Sequence, residues 1–219
     1  MQLLSPIIPA IIPKSYDDLV QTIAQLRGLP EVHVDVVDGK FVSAISWPYI
    51  DNNDVAKAYE LLRPFSLEVD LMVENPIKAA EAWLKAGADQ LVFHIESIEA
   101  NVLKNFTHAH DVTIGVALSS ATNLEDLYPY LPFVEYVQVM GIALIGAQGQ
   151  PFDSTVSERI KTIQAKYPTM PISIDGSVNA STLLKLKNLN LHRYIVGSAI
   201  VGTENPQAAY RTLTHIMQS

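Results

Sequence analysis

The feature that most constrains this chain is a period. Short runs rich in β-branched residues alternate with amphipathic helical stretches, and the pattern recurs eight times. Strands are expected over residues 3–12, 31–37, 67–73, 90–95, 113–118, 134–140, 172–175 and 194–196. Helices are expected over 15–27, 55–63, 77–85, 96–108, 121–131, 154–166, 179–187 and 206–217. Punctuation supports the boundaries: Gly28 and Pro30 end the first helix, Asp38-Gly39 stops the second strand, Asp51 or Asn53 is expected to cap the helix at 55, and Asn75-Pro76 opens the next. A strand followed by a crossover helix pairs in parallel with the next strand, and eight such units close naturally on themselves. The expectation is a single (β/α)8 barrel domain spanning residues 1–219. An open doubly wound sheet would more often carry a glycine-rich turn after the first strand, and this chain has Ile11-Ile-Pro-Lys14 there.

Composition narrows the partners. Hydrophobic residues make up 48% of the 219 and charged residues 17%, enough apolar material for a large core. The net charge of −8 comes without a basic tract, so nucleic acid is not an expected partner. No cysteine is present, which excludes disulfides, thiolate metal sites and a cysteine nucleophile. The N-terminal run lacks a basic flank and is broken by Pro6 and Pro9, and no segment is apolar for long enough to span a membrane. A cytoplasmic, non-membrane protein is expected.

The chemistry starts at Glu31-Val-His-Val-Asp-Val-Val-Asp-Gly39. Alternation places His33 and Asp35 on one face of a strand, with valines on the other. In a (β/α)8 barrel the strand C-termini carry the site. The polar residues at those ends are His33, Asp35, Asp70, His94 and Asp175. Carboxylates crowded into a barrel mouth are costly unless compensated, and a divalent cation would offset three of them beside an imidazole. Oxygen-rich ligands with one nitrogen suit Mg, Mn, Fe or Zn alike. Separately, Gly146–Gln150, Asp175-Gly176-Ser177 and Gly197-Ser198-Ala199 follow strands six, seven and eight. Barrels commonly bind phosphate at the last of these loops, where glycine permits close backbone approach.

Several stretches, in order, resemble the ribulose-phosphate 3-epimerase family. They are Val32-His-Val-Asp-Val-Val-Asp-Gly39, Glu68-Val-Asp-Leu-Met-Val-Glu-Asn-Pro76, Ala86-Gly-Ala-Asp89, Gly115-Val-Ala-Leu118, Gly146-Ala-Gln-Gly-Gln-Pro-Phe152, Ile174-Asp-Gly176 and Val196-Gly-Ser-Ala-Ile200. The resemblance implies a metal-dependent epimerase that inverts C3 of a ketopentose 5-phosphate, converting D-ribulose 5-phosphate to D-xylulose 5-phosphate in the pentose phosphate pathway. It implies Asp35 and Asp175 as the acid/base pair. His33, Asp35, Asp70 and Asp175 would be ligands of one divalent ion (Zn, Mn, Fe or Mg). It further implies Met72 and Met140 beside the intermediate, and Gly146, Gly149, Gly176, Ser177, Gly197 and Ser198 around a small phosphorylated sugar. A homo-oligomer is implied too, with Ile45-Ser-Trp-Pro-Tyr49 as a candidate contact.

The chain also departs from that family's pattern. Asp70 stands where a second histidine is usual, Val37 where a methionine precedes Asp-Gly, and Pro9-Ala-Ile-Ile-Pro13 lacks the usual serines. The strand-six loop, Met140-Gly-Ile-Ala-Leu-Ile145, is changed as well. Two other readings follow: an epimerase for another phosphorylated sugar, and a phosphosugar-binding or regulatory protein without turnover. Sugar-phosphate decarboxylases of related barrels carry Asp-x-Lys-x-x-Asp on strand three, and Asp70-Leu-Met-Val-Glu-Asn75 lacks both the lysine and the second aspartate.

Overall fold

Each strand of this chain has two apolar faces to satisfy, one toward helices and one toward the other strands, and closing the sheet satisfies both. In the computed structural model, which describes residues 6–51, 54–146 and 149–218, the strands form a closed parallel barrel in the order β1 to β8. These are β1 (Ile7–Ile11), β2 (Glu31–Val37), β3 (Ser66–Met72), β4 (Gln90–His94), β5 (Thr113–Leu118), β6 (Tyr136–Met140), β7 (Ile172–Asp175) and β8 (Arg193–Val196). The expected start of β1 before Pro6 lies outside the described residues. β1 pairs with β8 through Ile7–Tyr194, Ile8–Ile195 and Pro9–Val196, which closes the ring.

The helices are α1 (Tyr16–Leu26), the short α2 (Tyr59–Leu62), α3 (Pro76–Lys85), α4 (Ala100–Ala109), α5 (Val156–Lys166), α6 (Ala180–Leu186), the short α7 (Ser198–Val201) and α8 (Pro206–Gln218). Ser15 caps α1 by accepting from the Asp18 N–H at 3.1 Å. Asp54, rather than Asp51, caps the turn at Val55–Ala58 that leads into α2, and the alternative Asn53 lies outside the described residues. Asn75 makes no side-chain cap on α3, whose start is set by Pro76 in the first turn.

The expected helix over 121–131 does not form. Its place is taken by two 3-10 turns, Leu124–Leu127 and Leu131–Phe133. Pro129 and Pro132 remove backbone donors and clash with the preceding turn, so an α-helix cannot run through them.

Alternation sorts the side chains. Val32, Val34 and Val36 of β2 and Leu67, Val69 and Leu71 of β3 point outward into the large core between sheet and helices. The residues between them point inward. There the pairing sets His33 opposite Glu68 and Asp35 opposite Asp70. Two small apolar clusters fill the rest of the lumen: Val92, Ala117, Tyr136 and Met140 on one side, and Ile8, Ala10 and Ile195 on the other. Within the loop after β2, Ser46 and Trp47 are fully buried, and Trp47 packs against Tyr16 and Trp83 with ring centroids 5.6 and 6.0 Å apart. Most of the segment offered as an oligomer contact is therefore core, and Ile45 alone among its members is strongly exposed, at 47%.

Candidate active site

Because parallel strands end at the same side of a barrel, residues far apart in the chain converge there. One imidazole and three carboxylates, those of His33, Asp35, Asp70 and Asp175, bring ligand atoms within 4.8 Å of one another. His33 and Asp70 are fully buried and Asp35 is 5% exposed. His33 Nε2 lies 3.1 Å from Asp35 Oδ1 and 4.0 Å from Asp70 Oδ2, while its Nδ1 lies 2.6 Å from Glu68 Oε1. His94, the fifth sequence candidate, stands outside this group. Its Nε2 is 3.0 Å from Asp70 Oδ1, so it supports Asp70 from the side. Gln138 does the same for the other oxygen, donating from Nε2 to Asp70 Oδ2 at 2.7 Å.

The electrostatics follow from burial and crowding. Desolvation, then the charge of Asp35, pushes the Asp175 carboxyl well above the usual carboxylate range. Desolvation also raises Asp35, although the neighbouring His33 charge and hydrogen bond pull the other way. Burial works against a charged His33, but the carboxylates of Asp35 and Glu68 outweigh it and hold the imidazole well above its ordinary value. Glu68 is opposite in outcome: burial raises it, but His33, Arg193 and Tyr136 together bring it down to about 2. The upper cluster is thus short of positive charge, and its acids hold protons in the absence of a cation. A divalent ion fits these residues: four converging ligands, three hard oxygens and one nitrogen, with too little positive charge nearby.

Above the cluster opens a cavity of about 300 Å³. Asp35 and Asp175 line its floor, with Met72 and Met140 beside them. Gly146, Gly149, Gly176, Ser177, Gly197 and Ser198 line it as well. Part of the 146–150 loop, residues 147 and 148, lies outside the described residues. The opposite wall is apolar, made by Ala10, Ile12, Ile142 and Ile195. Among the described residues lining the cavity there is no lysine, arginine or histidine.

Backbone geometry shapes the loop after β7. Gly176 has φ of 104° and Ser177 a φ of 57°, so the chain turns through the left-handed region twice in succession. A Cβ at Gly176 would come 2.8 Å from Ile142 Cγ1, which restricts that position to glycine. Asn179 then caps α6 reciprocally with Thr182, and both side chains donate to the Ser177 carbonyl at 3.1 Å.

Sequence reasoning gathered the four cluster residues and the cavity-lining loops. It assigned no role to Glu68, Tyr136, Gln138, Asn179 or Arg193. A usable signal existed for two of them: Glu68 lies two residues before Asp70, and Gln138 two before Met140, so alternation turns them to the same inward face.

The family model described as the ribulose-phosphate 3 epimerase family matches residues 6–201. Ribulose-phosphate 3-epimerase of Mycobacterium tuberculosis is 28% identical over 216 residues, covering 94% of this chain and 90% of that protein. The cytoplasmic isoform of the same enzyme from Oryza sativa subsp. japonica is 32% identical over 187 residues, covering 82% of this chain and 78% of that protein. Among solved structures, KGPDC from Streptococcus mutans in complex with a phosphorylated sugar superposes with a TM-score of 0.73 at 13% identity, covering 97% of this chain and 96% of that one. The 3-keto-L-gulonate-6-phosphate decarboxylase of Vibrio cholerae gives 0.69 at 14% identity, with 95% and 96% covered. At those identities the two structures speak for the fold alone. The match over nearly the whole barrel is to the epimerases: this chain belongs to the ribulose-phosphate 3-epimerase family and is an isomerase-class enzyme.

Proposed function

We propose that this enzyme inverts C3 of a ketopentose 5-phosphate, interconverting D-ribulose 5-phosphate and D-xylulose 5-phosphate, with Asp35 and Asp175 as the acid/base pair. The observation that carries this reading is their placement. They rise from β2 and β7, strands separated in the ring by β1 and β8, and meet at the floor of one cavity.

Inversion by proton transfer requires one group to take a proton from one face and another to deliver one to the opposite face. The pair must therefore hold one proton between them. Two buried carboxylates at this range cannot both ionise freely, which provides that state. Asp175, the more strongly raised, carries the proton, and Asp35 beside His33 starts ionised. The roles exchange in the reverse direction.

His33, Asp35, Asp70 and Asp175 are the residues that would hold a divalent cation. Such an ion supplies Lewis-acid polarisation of the C2 carbonyl and stabilisation of the negative charge left when C3 loses its proton. The phosphate end of the sugar lies against Gly176, Ser177, Gly197 and Ser198, with Gly146 and Gly149 over it. Met72 and Met140 pack on the carbon chain without offering a competing base. The phosphorylated sugar bound by the S. mutans neighbour supports a phosphosugar ligand for a barrel of this kind. A decarboxylase reading finds no amine in the cavity lining, where Met72 stands.

The test is exchange of the C3 proton with solvent deuterium, using ribulose 5-phosphate and Mn2+, Zn2+, Mg2+ or Fe2+. Exchange is expected with at least one ion. Asp35→Asn and Asp175→Asn should each lower it by about 100-fold or more. Binding of the phosphosugar without exchange under any ion would overturn the reaction and favour a binding or regulatory role.

A further inference from the structure

Below the cation site, at the closed end of the barrel, a second set of polar chains is buried where a (β/α)8 lumen is ordinarily packed with branched aliphatics. Arg193 of β8 reaches across the lumen. Its Nη1 donates to Glu68 Oε2 at 2.5 Å and to Gln90 Oε1 at 2.9 Å, and its Nη2 pairs with Glu31. The Tyr136 hydroxyl from β6 donates to the same Glu68 Oε2. Gly115 makes room for that ring, since a Cβ there would overlap it. Glu68 and Arg193 are 0% and 6% exposed.

The two oxygens of Glu68 thus have different tasks. Oε2 is committed to Arg193 and Tyr136, and Oε1 faces His33 Nδ1 at 2.6 Å. A carboxylate held in that way can only accept at Oε1. His33 must then donate from Nδ1, which leaves Nε2 as the nitrogen turned toward Asp35 and Asp70. If Glu68 were free to rotate, the ring could turn over or switch tautomer, and the lone pair would leave the cluster.

We propose that Arg193 is a positioning residue of the cation site, acting through Glu68 to fix the orientation and tautomer of His33. The proposal rests on the reading that His33, Asp35, Asp70 and Asp175 bind a divalent ion. Glu31 offers an internal contrast. It pairs with Arg193 Nη2 and accepts from Gln90 Nε2 at 3.0 Å, but touches neither Glu68 nor His33. Burying an ion pair is poor evidence of a stability role by itself. The two Glu31 and Glu68 branches of Arg193 therefore separate stability from positioning.

The experiment uses Co2+ as the probe on the full-length protein, reading affinity by calorimetry and ligand geometry by the visible absorption of the bound ion. Metal-free unfolding in urea is measured alongside. Arg193→Met should weaken Co2+ binding about 10- to 100-fold and change the absorption spectrum. Tyr136→Phe, which keeps the ring in place, should weaken it several-fold. Glu31→Gln should lower metal-free stability while leaving Co2+ affinity within about twofold of the wild type. The proposal is overturned if Arg193→Met binds Co2+ like the wild type, or if Glu31→Gln weakens binding as much as Arg193→Met. Should Arg193→Met not fold, unchanged affinity and spectrum in Tyr136→Phe overturn it. A wild type that binds no Co2+ removes the cation site and this inference together. Because the readout is cation affinity, a wild type that binds Co2+ yet does not exchange the C3 proton of ribulose 5-phosphate fails the proposed reaction alone.

Discussion

Asp38 shows how much one side chain can organise outside the chemistry. Its Oδ1 accepts from the backbone N–H groups of Lys40 and Phe41 at 2.9 and 3.0 Å, and its Oδ2 from Glu74 N–H at 2.8 Å. A turn residue after β2 thereby ties down the chain leaving β3, next to the strand that carries Asp70. Partial burial pushes its carboxyl up, but the backbone donors of Glu74, Phe41 and Lys40 outweigh that and hold it below the usual range. A depressed folded-state value means the stabilisation is present above the unfolded value, about 3.9, and is lost as pH falls through the folded one. Asp38→Ala is expected to cost about 1–2 kcal/mol at pH 7, since the group is partly exposed and each bond to a charged acceptor is worth on the order of 1.5–3 kcal/mol at most. Urea unfolding from pH 7 down to pH 3 should show the gap between wild type and variant closing at the acid end. A gap independent of pH would mean the side chain acts by packing.

At the scale of elements, α6 and the turn before it behave as one unit. The helix has only seven residues, so its stability leans on its cap. Asn179 accepts from the N–H groups of Ser181 and Thr182 at 3.0 and 3.2 Å, and the Thr182 hydroxyl accepts from Asn179 N–H at 2.8 Å. Both side chains also hold the Ser177 carbonyl, and Ser177 is a non-glycine residue in the left-handed region. Asn179→Ala should therefore lower stability by about 1 kcal/mol. It should also raise KM for the phosphosugar several-fold with little change in kcat, because it loosens a wall of the cavity while leaving Asp35 and Asp175 in place. Steady-state kinetics decide this. A fall in kcat at constant KM would place Asn179 in the proton-transfer machinery instead.

Across the whole molecule, folding and cation binding are coupled, because closing the barrel forces three carboxylates together. The raised values of Asp35 and Asp175 mean that the folded state binds their protons more tightly than the unfolded chain does. Stability of the metal-free protein is thus greatest below about pH 3.9 as far as these groups are concerned, and is lost as pH rises through their folded values. His33 has the same sign: its contribution is full below about pH 6.5 and declines as pH passes its raised folded value. Cation binding displaces those protons, so it strengthens with pH. At a Mn2+ concentration about 100-fold above Kd the expected gain is about 2.7 kcal/mol. For a chain of this size that corresponds to roughly 5–11 °C in Tm. Calorimetric scans should show a larger Mn2+ increment at pH 8 than at pH 6, and an increment of equal size at both would argue that the cation does not replace protons at this cluster.

Much of this was legible without coordinates. The alternation of β-branched runs with amphipathic stretches determined the order of elements and the parallel barrel, because a period of two and a period near 3.6 cannot be exchanged. Spacing of two residues determined that His33 and Asp35 share a face, and the position of Asp70, Asp175 and the glycine-rich turns at strand ends determined which end of the barrel holds the site. Local chemistry also explains the one misplaced helix, since Pro129 and Pro132 were visible throughout. What the tertiary structure alone decided is who stands next to whom across the lumen. That His94 and Gln138 brace Asp70 instead of joining the cluster, and that Arg193 grips Glu68 across 125 residues of chain, depends on side-chain reach through the closed ring. Period and punctuation describe one strand at a time, whereas contacts across a barrel depend on strand register and lumen volume, which exist only after the sheet has closed.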